Sequence, residues 1–228
     1  MKNLVVLSGA GVSADSGIKT FRDAEGLWEG FDVMEVASKE GFSKNPELVL
    51  RFYNERRKQL LEVQPNEAHF ILARLENFYN ITIVTQNVDD LHERAGSQKV
   101  IHLHGELLKS RSIVNEHLVY EWKDAIHVGT KNKENHQLRP HIVWFGEDVP
   151  EINKAIPLIE NADIILIIGT SLQVYPAAGL ISYASRNSLI IYIDKNPAAT
   201  SSFNKNIKVI KADATTGLKR IYSELVDL

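Results

Sequence analysis

The chain has 228 residues, 44% of them hydrophobic, with 26 Lys+Arg against 29 Asp+Glu, a net charge of −3 and no cysteine. That is enough apolar material for a substantial core, with no basic field for nucleic acid and no acidic tail. Disulfides, thiol nucleophiles and thiolate metal sites are excluded.

Met1-Lys2-Asn3 leads into an apolar run at residues 4–7 that is too short for a secretion signal. No stretch approaches the ~18 apolar residues of a membrane span, so no membrane partner is expected and the expected compartment is the cytoplasm. The run reads as a strand that ends on Gly9-Ala10-Gly11. The two glycines are expected to allow positive φ and to let backbone N–H groups approach a phosphate. An ordinary strand-to-helix turn is the alternative. A dinucleotide fingerprint would place a third glycine where Ala14 stands, and here Ser16-Gly17 follows instead. Residues 20–63 read as a long helical excursion that includes a helix over 46–61, with Pro46 at its start. A further helix is expected over 66–78, capped by Asn66.

Residues 81–85 form the next predicted strand, and Thr85-Gln86-Asn87-Val88-Asp89-Asp90 follows at its carboxyl end. That cluster is either a ligand site or an Asx turn capping a helix begun by Leu91 and His92. The strand predicted at 100–103 carries His102-Leu103-His104-Gly105-Glu106. The two histidines are assigned to opposite sides of the sheet, one as a base in the cleft and the other packed away. Residues 109–139 are polar and without a clear period. Ile164–Ile168 does not alternate and reads as a central strand buried on both faces. Gly169-Thr170-Ser171 after it suits a phosphate or ribose. A helix is expected over 176–186 and a strand at 189–193. Asp194-Lys195-Asn196-Pro197 then offers polar groups to ribose hydroxyls. A strand at 207–210 and a helix at 216–226 complete the pattern.

Strands alternating with helices predict an α/β fold: a doubly wound, Rossmann-like parallel sheet with a second, smaller module built from two insertions. The expected division is 1–19, 64–106 and 143–228 for the sheet, and 20–63 with 107–142 for the module. Five polar clusters then lie at carboxyl strand ends, where open α/β sheets bind ligands.

Taken in order, these stretches resemble the sirtuin (Sir2) family. The pattern GAG-x-S-x-x-SGI-x-x-FR, then TQN-[VI]-D-x-LH, HGE and GTS is matched at every element. The matching residues are Gly9-Ala10-Gly11, Ser13, Ser16-Gly17-Ile18, Phe21-Arg22, Thr85 to Asp89, Leu91-His92, His104-Gly105-Glu106 and Gly169-Thr170-Ser171. The resemblance runs from residue 4 to about 214. It implies an NAD-dependent protein-lysine deacylase that consumes NAD and acts on acyl-lysine proteins or peptides. The segment after the glycine turn would then be a cofactor loop, with Trp28 beyond it. Gln86, Val88, Asn196 and Ala214 would also contact NAD. Asn87 and Asp89 would hold nicotinamide as it leaves. The acyl oxygen would attack the ribose carbon, and His104 would act as general base on a ribose hydroxyl that attacks the imidate carbon. The products would be nicotinamide, O-acyl-ADP-ribose and free lysine. The peptide would add as a strand between the segment Val143-Trp144-Phe145-Gly146-Glu147, with Val143, Phe145 and Gly146 as substrate contacts, and the segment Ser171-Leu172-Gln173-Val174, with Val174 as one.

Tyr53 and Arg56 lie three apart in a predicted helix and so share a face. An Arg fork with a Tyr hydroxyl suits a carboxylate, and this pair resembles the sirtuin branch that removes succinyl and malonyl groups. The alternative is a solvated Arg on a helix that also carries Arg51, Arg57 and Lys58. Most sirtuins hold zinc with four cysteines in the insertion after HGE. His117, His127, His136, Glu116, Asp124 and Glu134 have no zinc-ribbon spacing here, so no metal is expected, and a small apolar cluster of Ile113, Val114, Leu118, Val119, Tyr120, Trp122 and Ile126 is expected to hold the module. Two other readings stay open: an NAD-consuming ADP-ribosyltransferase or glycohydrolase, and a non-catalytic NAD- or peptide-binding module. The oligomeric state is not legible.

Overall fold

The computed structural model describes residues 1–19, 27–28, 30–199 and 206–228. Six parallel strands form the main sheet: β1 (Asn3–Ser8), β4 (Asn80–Thr85), β5 (Val100–His102), β9 (Ile164–Ile168), β10 (Leu189–Asp194) and β11 (Ile207–Lys211). Their order is β11-β10-β9-β1-β4-β5. Every residue of β9 is buried, as its unbroken β-branched run requires in a sheet covered on both faces.

The pleat divides the sheet side chains into two cores. On one face Leu4, Val6, Ile83, Leu166 and Ile191 pack against α4 (Glu67–Leu75) and α7 (Ala214–Asp227). On the other, Val5, Leu7, Ile165, Ile167 and Tyr192 pack against α6 (Ile152–Glu160) and a 3-10 segment, Ala177–Tyr183. Leu218, Ile221 and Leu225 recur at helical spacing along the buried face of α7. Each contributes about 1.5–3 kcal/mol by burial. α4 opens as expected: the Asn66 side chain accepts from Ala68 N and His69 completes a capping box.

The helix expected over 176–186 is a 3-10 segment instead. Gly179 weakens an α-helix there, and the Ser182 hydroxyl donates to the Gly179 carbonyl, competing with the helical ladder. Within the expected helical excursion, the described part contains α1 (Val33–Val36), α2 (Lys39–Lys44) and α3 (Pro46–Glu62). A two-stranded ribbon, β2 (Leu27–Trp28) with β3 (Phe31–Asp32), precedes them. The polar insertion forms a separate antiparallel sheet of β6 (Gly105–Ser112), β7 (Val119–Glu121) and β8 (Leu138–Ile142), in the order β7-β6-β8. No helix among the described residues is long and apolar enough to cross a membrane.

Candidate active site

Because the six strands are parallel, the residues after β1, β4, β5, β9 and β10 emerge along one edge of the sheet. Gly9 to Ile18 follow β1, Gln86 to Asp89 follow β4, His104 follows β5, Gly169 to Ser171 follow β9, and Asn196 follows β10. After β1 the chain makes two 3-10 turns, Ala10–Val12 and Ala14–Ser16, and closes at Gly17 with φ 91°. The expected reason for Gly9 and Gly11 needs correction. Gly9 has φ −132° and Gly11 is not among the positive-φ glycines. What demands glycine is close packing of two turns. A Cβ on Gly9 would lie 2.7 Å from Thr170 Cβ, and one on Gly11 would lie 2.8 Å from Gly169 Cα. Their amides bind Ile168 O at 3.1 Å and Gly169 O at 2.9 Å.

Ser13 forms the centre of the site. Its hydroxyl donates to Asp89 Oδ2 at 2.9 Å and accepts from Asn87 Nδ2 at 3.1 Å. All three side chains are buried. Behind Ser13 lies His69. The Asn66 N–H donates to its Nδ1 at 3.2 Å, so its Nε2 carries the proton and faces Ser13 Oγ at 3.5 Å. Burial lowers His69 to about 4, against a smaller upward pull from Glu93, so it is neutral. Burial raises Asp89 to about 6, opposed by the Ser13 hydroxyl, the Leu91 N–H and His102. Asp89 Oδ1 accepts from Leu91 N at 3.2 Å. This is the Asx turn expected before the helix begun by Leu91. Asn66 also donates to Val12 O and Ser16 Oγ, which tethers the glycine segment. Gln86 Nε2 donates to Thr170 Oγ1 at 3.1 Å, joining the ends of β4 and β9.

The assignment of His102 and His104 to opposite sides is also corrected. Residues two apart on a strand share a face, and both rings lie against the loop after β4. His102 Nδ1 meets Asn87 O at 2.9 Å and His104 Nδ1 meets Gln86 O at 3.1 Å. A carbonyl only accepts, so both Nδ1 atoms are protonated. Burial works against charge on His102, but its bonds to Glu93 (2.7 Å) and Asn87 O win and raise its pKa. It braces the loop as an imidazolium. Burial lowers the pKa of His104, with the Gln86 carbonyl pulling back in part. Its neutral form leaves the lone pair on Nε2, the state a general base needs.

The residues expected on the substrate side lie on α3, on the segment after β8 and at Val174. Tyr53 is fully buried on α3 and accepts the Trp144 indole N–H at 3.0 Å. Burial holds its phenol well above the ordinary value, despite that bond. Arg56 lies over the Phe52 ring at 3.9 Å and donates to Phe52 O. Its side chain is 13% exposed, which removes the solvated-Arg alternative. Val143 N donates to His104 O at 2.9 Å, tying this segment to the histidine backbone. Phe145 is exposed and Gly146 has φ 84°. Ala214 begins α7, and Thr215 donates to Asp15, so that helix end sits beside the glycine segment. Ser171 and Val174 are partly buried and Asn196 is exposed; none of the three joins the Ser13 cluster. Phe21, Arg22 and the Trp28 side chain lie outside the described residues.

Among the described residues no group of three or more His, Cys, Asp or Glu could hold a metal. With no cysteine in the chain, the module does not fit a zinc site. Ile126 and Leu138 instead pack on Leu50 of α3, with Phe42, Tyr120 and Trp122 around them. Of the insertion residues expected to make this cluster, Ile113, Val114 and Val119 are exposed. The Asn54 side chain clamps both backbone groups of Ile126, at 2.8 and 2.9 Å. The sequence reading missed this clamp, the Ser13–His69 contact and the charged cluster around Glu147.

A family model described as "Sir2 family" matches residues 9–176. A Helicobacter pylori protein named NAD-dependent protein deacylase is 55% identical over 228 residues, covering 100% of this chain and 99% of the relative. A Bacteroides thetaiotaomicron protein of the same name is 52% identical, covering 99% of each. Among solved structures, a mutant Sir2 homologue in complex with ADP-ribose superposes with a TM-score of 0.90 at 37% identity, over 99% of this chain and 92% of the other. A Sir2 homologue in complex with NAD gives 0.88 at 37% identity, over 99% and 90%. A Sir2 bound to acetylated peptide gives 0.81 at 28% identity, over 98% and 92%.

Proposed function

The chain belongs to the Sir2 family, and on that footing we propose that it is an NAD-dependent protein-lysine deacylase that consumes NAD and transfers the acyl group to ADP-ribose. The observation that carries the reading is His104, whose Nδ1–H is committed to Gln86 O, one residue from Asn87 in the Ser13 cluster. Nε2 is thereby left as the basic nitrogen, on a ring held against the loop that carries the pair expected to hold nicotinamide. Asn87 supplies an amide, and Asp89 a carboxylate fixed by Ser13. Together they match the donors and acceptors of a carboxamide. His104 Nε2 takes the proton from a ribose hydroxyl, which then adds to the acyl carbon. The Gly9–Gly11 and Gly169–Ser171 turns line the dinucleotide, and NAD is a co-substrate, not a resident group. An ADP-ribosyltransferase gains nothing from a base so placed, which favours deacylation.

For the acyl chain, Tyr53 and Arg56 support removal of short acidic groups, succinyl or malonyl, alongside acetyl. The test is incubation with NAD and either acetyl- or succinyl-lysine peptide, for the wild type and Arg56→Met. Peptide-dependent nicotinamide release is expected, with Arg56→Met losing succinyl turnover about 10²-fold or more beyond its acetyl loss, because a charge is left unpaired. Equal losses would remove the acidic-acyl reading. Nicotinamide release without peptide would remove the deacylase reading.

A further inference from the structure

Glu147 closes a tight turn. Its N–H donates to Trp144 O at 3.0 Å, and its carboxylate accepts from Trp144 N at 2.9 Å; Gly146 supplies the φ of 84° between them. The carboxylate, 8% exposed, takes three more bonds. Arg139 of β8 donates to Oε1 at 2.9 Å and to Oε2 at 2.7 Å, and Arg111 of β6 donates to Oε2 at 2.7 Å. Both guanidiniums also donate to Ile142 O, at 2.8 and 3.1 Å. Four charge-assisted bonds thus hold the group, three on Oε2 and one on Oε1. Lys39 at 3.6 Å and Glu116, 3.9 Å from Arg111, are exposed charges at the rim. Burial would raise the Glu147 pKa, but the Arg139 and Trp144 bonds outweigh it and hold the carboxyl below its usual value.

This cluster joins the module sheet to the segment after β8 and, through Trp144, to Tyr53 of α3. Arg139 lies 3.6 Å above the Trp144 ring, and that indole donates to Tyr53. Val143 binds the His104 carbonyl, and Phe145 N binds Ala37 O at 2.9 Å. In a module that does not fit a metal, one carboxylate thus sets the edge on which a peptide strand would lie. We propose that Glu147, clasped by Arg111 and Arg139, is the positioning residue for acyl-lysine peptide docking. This rests on the deacylase reading.

The test is Glu147→Gln in the full chain, which keeps the shape and removes the charge. The peptide KM, and the peptide Kd by calorimetry, should rise about 10- to 100-fold, as displaced positioning groups do. The NAD KM should stay within about twofold. A residue that merely supports the fold would move both constants together or neither, and either result overturns the proposal. Arg111→Lys keeps a cation but loses the guanidinium that reaches both Glu147 Oε2 and Ile142 O. It should shift the peptide constants in the same direction by less, and it serves as the test if Glu147→Gln does not fold. Wild-type turnover with peptide constants unchanged in both variants would sink this inference alone. Wild-type protein that neither turns over nor binds acyl peptide would sink the deacylase reading and this inference with it.

Discussion

Asn54→Ala tests whether the cysteine-free module is held by its side-chain clamp. The change removes the bonds from Asn54 Nδ2 to Ile126 O (2.8 Å), from Ile126 N to Asn54 Oδ1 (2.9 Å) and from Arg57 Nη1 to Asn54 Oδ1 (2.8 Å). Ile126 is fully buried, so water does not simply replace the lost partners. At about 1 kcal/mol net per bond, with an added penalty for donors left unpaired, the loss is about 3–5 kcal/mol. At about 3 °C per kcal/mol for a chain of this size, Tm should fall by about 9–15 °C. The assay is calorimetric melting of wild type and variant, each with and without a chelator. Hydrogen exchange should quicken across residues 107–142 and stay slow in β9. The wild-type Tm should not respond to the chelator. A variant Tm within about 3 °C of wild type would refute the clamp, and a chelator-sensitive wild type would refute the metal-free account.

Asp89→Asn should abolish activity yet stabilise the protein at pH 7 by about 3 kcal/mol, since about two pKa units separate the buried Asp89 (about 6) from its ordinary value. A raised carboxyl favours the folded state only while protonated. The gain should therefore vanish below about pH 4 in denaturant titrations, and destabilisation at pH 7 would contradict it. His69 and His141, both lowered to about 4 mainly by burial, and His92, lowered well below its ordinary value by burial, act in the opposite sense. Folding stability should fall as pH drops from 6.5 toward 4, because three histidines outweigh one Asp89, and a flat profile there would be contrary. Gly105→Ala and Gly146→Ala form a matched pair at φ 82° and 84°. The first places a Cβ 2.0 Å from His141 O and the second meets nothing within 4 Å. Gly146→Ala should cost about 1–2 kcal/mol of backbone strain. Gly105→Ala should disrupt the β6–β8 pairing and activity together, and equal costs would count against this.

The sheet was legible because its strands are apolar runs rich in Val and Ile, and the helices because Pro46 and Asn66 mark their starts. The five strand-end clusters followed from that alternation. The small sheet was not legible. Its strands mix polar and apolar residues without a clear period, and what fixes them is long-range: Asn54 to Ile126, or Arg111 to Glu147, pairs that local periodicity does not encode. The same limit hid the contact of Ser13 with Asn87 and Asp89, and the protonated nitrogens of His102 and His104. Those depend on which carbonyl each ring meets.

The most direct test follows nicotinamide and O-acyl-ADP-ribose together by mass spectrometry, with acetyl-lysine peptide and NAD, for wild type and His104→Ala. Wild type should release one nicotinamide for each lysine deacylated. Loss of the base should cut O-acyl-ADP-ribose formation by about 10²–10⁴-fold. Undiminished O-acyl-ADP-ribose from His104→Ala would contradict the account at its centre.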